Sequence, residues 1–304
     1  MKIAHLSDLH CLSLEGVPWR RFMNKRLTGW ANLRLKRGAI HRTAYVHELA
    51  REIARRGADH VVVTGDLTNL ALEGEFELAR GILEHELAVD PSRITLVPGN
   101  HDLYTRGALA SRRFERLFAP WLKSDLPELA VDTGGARFPI VKLCAGAAII
   151  GLSSAVPRPP LVAAGEIGRA QLAALANILA HPEVKRRTVV LAVHHPIVEP
   201  WPRLKAHLEG LRDADALMSL LQDLPHGLVL HGHLHRRQQR TLLTRAGKIQ
   251  QIGATSASLH HASGDKMAGY NLYEIGDHGA LRVEAVIYDP AARTFRVDSV
   301  PRHV

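Results

Sequence analysis

An α/β layered fold, built on a mixed sheet or on two packed sheets, is what this sequence predicts. Three observations carry that expectation. Short apolar runs alternate with amphipathic segments from the start to about Leu230. Beyond Gln238 the pattern is all strand and turn. No Pro/Ser-rich linker and no internal repeat divides the chain, so one domain over residues 1–304 is expected. Apolar residues at 46% and charged residues at 23% exclude a disordered or collagen-like chain, and 304 residues can bury a sizeable core.

The elements follow in order. Lys2–Ser7 reads as a buried strand. Residues 41–57 read as a helix, because Val46, Leu49, Ala50 and Ile53 recur at helical spacing and Gly57 suits its end. A second strand runs over 60–64 (HVVVT), a helix over 73–87, and a third strand over 93–97, closed by Pro98-Gly99. A helix is expected over 107–122 and two linked strands over 138–143 and 147–152. Residues 169–180 place Leu172, Leu175, Ala176 and Leu179 on one helical face. Short buried strands follow at 188–193 and 227–230. The tail adds strands at 240–243, 249–252, 270–275, 281–288 and 294–297.

Composition narrows the functional classes. No run of about 18 uncharged apolar residues exists, so no transmembrane helix is expected. Two cysteines, Cys11 and Cys144, exclude a disulfide scaffold and suit a reducing compartment. Lys2 and His5 stand where a secretory signal needs an apolar stretch, so the expected location is cytoplasmic. A net charge of +9 attracts phosphate-bearing partners. The 19 histidines admit two readings, compositional drift or a metal site, and placement decides between them.

That placement is uneven. Five strand ends carry the polar residues: Asp8-Leu9-His10, Gly65-Asp66-Leu67-Thr68-Asn69, Gly99-Asn100-His101-Asp102, His194-His195-Pro196 and His231-Gly232-His233-Leu234-His235. Ligands of open α/β sheets bind beyond the carboxyl ends of strands. Each block alone reads as a capped turn, but five together point to a site. Asp-x-His and His-x-His put two side chains on one side of an extended segment. Carboxylate, amide oxygen and imidazole without thiolate suit Mn, Fe, Zn, Ni or Co. Asp8, His10, Asp66, Asn100, His194, His233 and His235 are too many donors for one ion. Two ions sharing one carboxylate would use them all.

The order of these blocks resembles the calcineurin-like metallophosphoesterase superfamily: D-x-H, G-D, G-N-H-D, H, then G-H-x-H, all intact between residues 8 and 235. The resemblance implies a four-layer α-β-β-α sandwich with two mixed sheets and a dinuclear transition-metal centre between them. It implies that Asp8, His10 and His235 hold one ion, that Asn100, His194 and His233 hold the other, and that Asp66 bridges. His195 does not match the pattern and is expected behind the ligands. Two such ions would turn a shared water into hydroxide near neutral pH and neutralise a phosphate. His101 would stabilise the transition state or protonate the leaving group, with Asp102 holding its ring.

Residues beside the blocks take plainer readings. Cys11 is a packing residue. His231 is a donor behind the ligands or a solvated side chain, and His260-His261 is a polar loop. Tyr104 and Arg106 either reach a substrate phosphate or start the next helix.

Residues from about 17 to 42 form a basic aromatic insertion directly after Asp8-x-His10. Residues 16–47 contain no Asp or Glu, and Trp19–Arg37 holds seven Lys or Arg with Trp19 and Trp30 on an apolar arc. It reads either as a helix packed on its own domain or as an interfacial helix on anionic lipid, with nucleic-acid binding the weakest of the three readings. The function expected is hydrolysis of a phosphate ester or anhydride. A phosphodiester or pyrophosphate is favoured, lipid-linked in the manner of UDP-diacylglucosamine if the insertion docks on the inner face of a membrane. A cyclic-nucleotide phosphodiesterase and a non-catalytic phosphate- or membrane-binding module are the alternatives, and the intact ligand set argues against the second.

Overall fold

A computed structural model describes residues 1–13, 17, 40–276 and 280–303. Its first half alternates strand and helix. β1 (Lys2–Leu6) leads to α1 (Thr43–Arg56), then β2 (His60–Val63), α2 (Glu73–Gly81) and β3 (Ile94–Leu96). Two short helices follow, α3 (Arg106–Ala110) and α4 (Arg113–Phe118), and then the small hairpin β4 (Val131–Asp132) and β5 (Arg137–Phe138). The middle holds β6 (Ile140–Cys144), β7 (Ala147–Gly151), α5 (Arg169–Ala180), α6 (Pro182–Lys185) and β8 (Thr188–Ala192). Next come α7 (Arg203–Glu209), α8 (Ala214–Leu220) and β9 (His226–His231). The tail is all strand: β10 (Gln238–Leu243), β11 (Lys248–Gly253), β12 (Gly269–Ile275), β13 (Leu281–Asp289), β14 (Thr294–Asp298) and β15 (Arg302–His303).

The strands form two large mixed sheets. One has six strands in the order β14-β13-β12-β1-β2-β3, and the other has seven in the order β15-β10-β11-β9-β8-β7-β6. In the first, β1, β2 and β3 are parallel. In the second, β7, β8, β9 and β11 are parallel. Side-chain alternation shows how the sheets pack. Ile140, Ile149, Val190 and Leu228 join the core of the six-stranded sheet. Their chain neighbours Val141, Ile150, Leu191 and Val229 join a second core with Leu175 and Ile178 of α5 and Leu217 of α8. On the far side, α1 buries Val46, Leu49, Ala50 and Ile53, and its Tyr45 ring lies 4.9 Å from Tyr288 of β13. The order of layers is helices, sheet, sheet, helices, as the resemblance implies.

Local chemistry explains the departures from the sequence expectation. The helix expected over 73–87 is α2 followed by a wider π-helical turn, Ile82–Leu87. The helix expected over 107–122 breaks at Arg112, whose φ is 46°. There the Arg112 guanidinium bonds both Glu115 and Asp132 across the break. Helix α7 has no buried residue, so no apolar periodicity announces it. The basic insertion at about 17–42 lies almost wholly outside the described residues.

Candidate metal centre

Register sets the site. Leu6 pairs with Val63 and Val63 with Leu96, so β1, β2 and β3 end level, and Ala192 pairs with Leu230 in the other sheet. Each of these strands then turns toward the seam between the sheets. The Asp8 amide donates to Gly65 O and the His10 amide to Asp66 O, both at 2.9 Å. Gly232 N donates to His194 O at 3.1 Å. The turns are tight enough to exclude side chains. A Cβ on Gly99 would lie 2.2 Å from Asp66 Oδ1, and one on Gly232 would lie 1.8 Å from Ser7 Oγ.

Five candidate ligands hold left-handed backbone: Asp8 (φ 51°), His10 (46°), Asp66 (50°), His233 (68°) and His235 (50°). Such conformations cost about 1 kcal/mol or more each outside glycine and gather at functional sites. They aim the side chains inward, and all seven expected donors converge. His10 Nε2 is 3.0 Å from His235 Nε2 and 4.0 Å from Asp8 Oδ1, and His235 Nε2 is 3.2 Å from Asp8 Oδ1. A second group forms where Asn100 Oδ1 meets His194 Nε2 at 3.0 Å and His233 Nδ1 at 3.2 Å. Asp66 Oδ2 stands between the groups, 3.9 Å from His10 Nε2 and 3.4 Å from His194 Nε2.

These donors fit cations. Asp8 is fully buried and Asp66 is 2% exposed, which is costly for carboxylates without nearby positive charge. Two imidazole nitrogens facing each other at 3.0 Å share at most one proton, whereas a metal ion accepts a lone pair from each. Ligand atoms around an ion bound at about 2.0–2.2 Å lie about 3–4 Å apart, which is the spacing seen in both groups. The imidazoles are oriented from behind. His194 Nδ1 donates to Thr64 O at 2.7 Å, and His233 Nε2 donates to Glu209 O at 3.0 Å.

Electrostatics couples the donors. Burial alone would raise the Asp66 carboxyl, but His194, His101 and His10 hold it well below the usual range. Asp8 is likewise held low against burial, chiefly by His235. Burial and the neighbouring imidazoles keep His10 and His233 neutral, well below the usual histidine value. His194 goes the other way: against burial, Asp66 raises it to about 9.

His101 lies beside the donors. Its backbone N–H donates to Asp66 Oδ1 at 2.7 Å, and its ring meets His10 edge-on at 5.0 Å. Tyr104 stacks on that ring at 5.4 Å. Here the structure corrects one expectation. Asp102 does not hold His101; the His101 Nδ1–H donates to the Asn69 carbonyl at 2.6 Å. The buried Asp102 carboxylate instead accepts from the backbone amides of Leu67, Thr68 and Gly99 and from the Thr68 hydroxyl. It ties the turn after β2 to the turn after β3, because three amides crowd around it and outcompete a side chain.

Two neighbours make contacts that the sequence does not announce, although Asn69 itself closes the polar run after β2. Asn69 holds His101 through its carbonyl and the His10 carbonyl through its amide at 2.5 Å. His41, read as the start of a helix, meets the His10 ring at 4.9 Å and the His235 ring at 5.5 Å, with its Nδ1 2.8 Å from Ser258 Oγ. Neither backbone carbonyls nor a lone histidine before a helix leave a sequence signal. His195 lies next to His194 and His233, but Ser154 and the Ala163 carbonyl occupy its ring nitrogens. His231 is buried and bonds the Gly232 carbonyl, so it is not solvated. Cys11 is buried, Arg106 opens α3, and the exposed His260 bonds the Tyr45 hydroxyl.

Fold and donor geometry define a two-sheet phosphoesterase-like architecture, and comparison with known proteins agrees. Residues 1–237 match the calcineurin-like phosphoesterase family, and the chain belongs to it. A curated protein of Rhodococcus erythropolis, named a probable cyclic nucleotide phosphodiesterase, is 30% identical over 200 residues, 65% of this chain. The match spans only 58% of that relative's length. Among solved structures, a dimetal phosphatase from Danio rerio aligns over 94% of both chains with a TM-score of 0.60 at 14% identity. A purple acid phosphatase from yellow lupin seeds also reaches 0.60, at 11% identity, covering 99% of this chain and 54% of its own. These two likenesses concern the fold. No helix among the described residues is long and apolar enough to cross a membrane.

Proposed function

We propose that this chain hydrolyses phosphate esters, a phosphodiester above all, at a pair of transition-metal ions. One observation carries the reading: a single oxygen, Asp66 Oδ2, stands between the two donor groups, 3.9 Å from His10 Nε2 and 3.4 Å from His194 Nε2. Asp8, His10 and His235 would hold one ion and Asn100, His194 and His233 the other, with Asp66 common to both. When bound, such a pair supplies Lewis acidity toward phosphate oxygens and an acidified water. The protein's own part is orientation and proton handling. Asn69 fixes the His101 proton on Nδ1, which makes Nε2 the nitrogen that exchanges a proton with the leaving group. Asp102 keeps the turns carrying Asp66 and His101 in register.

The name of the Rhodococcus relative supports a cyclic-nucleotide substrate within this class. The lipid-linked pyrophosphate reading rests on the basic insertion. A hydrolysis panel on metal-loaded protein tests the proposal, with bis-p-nitrophenyl phosphate, cyclic AMP, UDP-diacylglucosamine and single-stranded DNA as substrates. Turnover of bis-p-nitrophenyl phosphate and cyclic AMP is expected. Turnover of UDP-diacylglucosamine alone would move the function to lipid-linked pyrophosphates. No turnover at full metal loading would overturn the hydrolase reading.

A further inference from the structure

The segment between β8 and α7 ends in Pro200-Trp201-Pro202, and its function is not explained by the metal donors. Polar side chains fasten it on several sides. Gln251 Oε1 accepts from the backbone amides of Ile197 and Val198 at 3.0 and 2.9 Å, and Gln251 Nε2 donates to Val198 O. Glu199 accepts from Gln238 Nε2 at 2.8 Å and lies 3.6 Å from Arg236. Prolines on both sides of Trp201 fix their own φ and restrict the tryptophan backbone. Helix α7 is fastened to the donors themselves, since Glu209 O accepts the His233 Nε2–H.

This framework displays an indole beside the second donor group. The Trp201 ring is partly exposed and lies edge-to-face with His233, 6.4 Å between centroids. Lys205 Nζ sits 4.9 Å over the same ring and 3.7 Å from Glu209. Close to it in the chain, apolar and basic side chains are exposed together: Leu204 is 72% exposed and Val198 39%, with Arg203 and Lys205 exposed as well. A rigid, half-exposed aromatic held by backbone constraint and backed by a cation is a stacking platform, not a core residue. It stands beside His233, at the edge of the second donor group and outside the donors themselves.

We propose that Trp201 is the specificity residue for a nucleobase-bearing phosphate, the base stacking on the indole while the phosphate faces the donors. The inference rests on the phosphoesterase reading and names its substrate class.

The test compares AMP with ribose 5-phosphate, which share the phosphate and the sugar and differ in the base. Affinities for both are measured by calorimetry on metal-loaded protein, in the unmodified chain and in Trp201→Ala, Trp201→Leu and Trp201→Phe. Stacking of one base is worth about 1–3 kcal/mol, so AMP should bind the unmodified chain roughly 5–150-fold more tightly than ribose 5-phosphate. Trp201→Ala and Trp201→Leu should remove most of that ratio, and Trp201→Phe should keep much of it. Equal affinities in the unmodified chain, or a ratio that Trp201→Ala leaves in place, would overturn the assignment. A merely structural tryptophan would weaken both ligands alike and leave the ratio standing. Binding is read without turnover, so failure of the hydrolase reading would show separately, as a nucleobase preference in a chain that hydrolyses no diester.

Discussion

Asp66 gives each of its carboxylate oxygens a separate task. Oδ1 accepts the His101 amide, and Oδ2 faces both donor groups. Asp66→Ala should therefore abolish turnover and lower occupancy at both ion positions. Metal analysis of the purified variant checks this, and two fully retained ions would remove Asp66 from the bridging role. His101 makes a contrasting case because its Nδ1–H is given to the Asn69 carbonyl, not to a donor residue. His101→Ala should keep both ions and lose on the order of 10²–10⁴ in rate, the usual worth of a positioned acid–base group. If proton donation is its task, the loss shrinks for substrates with good leaving groups. An equal loss across leaving groups would leave it an electrostatic role alone.

At the scale of elements, the turns after β2 and β3 act as one unit. Asp102 accepts three backbone amides and one hydroxyl, drawn from both turns. Asp102→Ala strands buried amides, so it should cost on the order of 3 kcal/mol in stability and lower the melting temperature. Turnover should fall through displaced donors, with metal affinity falling alongside it. A melt unchanged from the unmodified chain would refute this role. Much of this region is legible in the sequence, and the reason is geometric. The donors sit at the ends of apolar strand runs such as HVVVT, where a polar residue has no packing reason to be. The glycines between them mark the close approach seen at Gly99 and Gly232. What is not legible depends on backbone groups and contacts distant in the chain. The Asn69 carbonyl, the displaced role of Asp102, the nearness of His41 and the exposed helix α7 have no periodicity or motif to announce them.

Across the whole molecule, buried neutral histidines set the response to acid. His60 lies between Thr95 and Cys144, and burial, then Lys142 and Arg93, lower it to about 3. His5, between Tyr273 and Thr64, is also lowered to about 3, by burial first. Unfolding frees each ring to an ordinary value near 6.5. Between about pH 3 and 6.5 the unfolded chain therefore binds more protons, so stability rises with pH across that window and is lost as pH falls through it. At pH 5 each ring should cost on the order of 2 kcal/mol relative to pH 7 and above. Melts at pH 5 and pH 7.5, run with a chelator so that metal release does not contribute, should show the drop. His60→Gln should shrink it. A variant with the same drop as the unmodified chain would exclude His60 as a source.

His10 and His235 are 225 positions apart, and their ring nitrogens meet at 3.0 Å. In the second donor group Asn100 and His233 are 133 positions apart. A growing chain that has released β1, β3 and the turn after β3 therefore carries Asp8 and His10 of one set and Asn100 of the other, and neither whole set. His194 follows after β8, and the last member of each set, His233 and His235, arrives two residues apart just after β9. On the proposed assignment, neither ion would have its full donor set until the chain beyond β9 has been made. A metal ion taken up earlier in translation would meet only partial chelation.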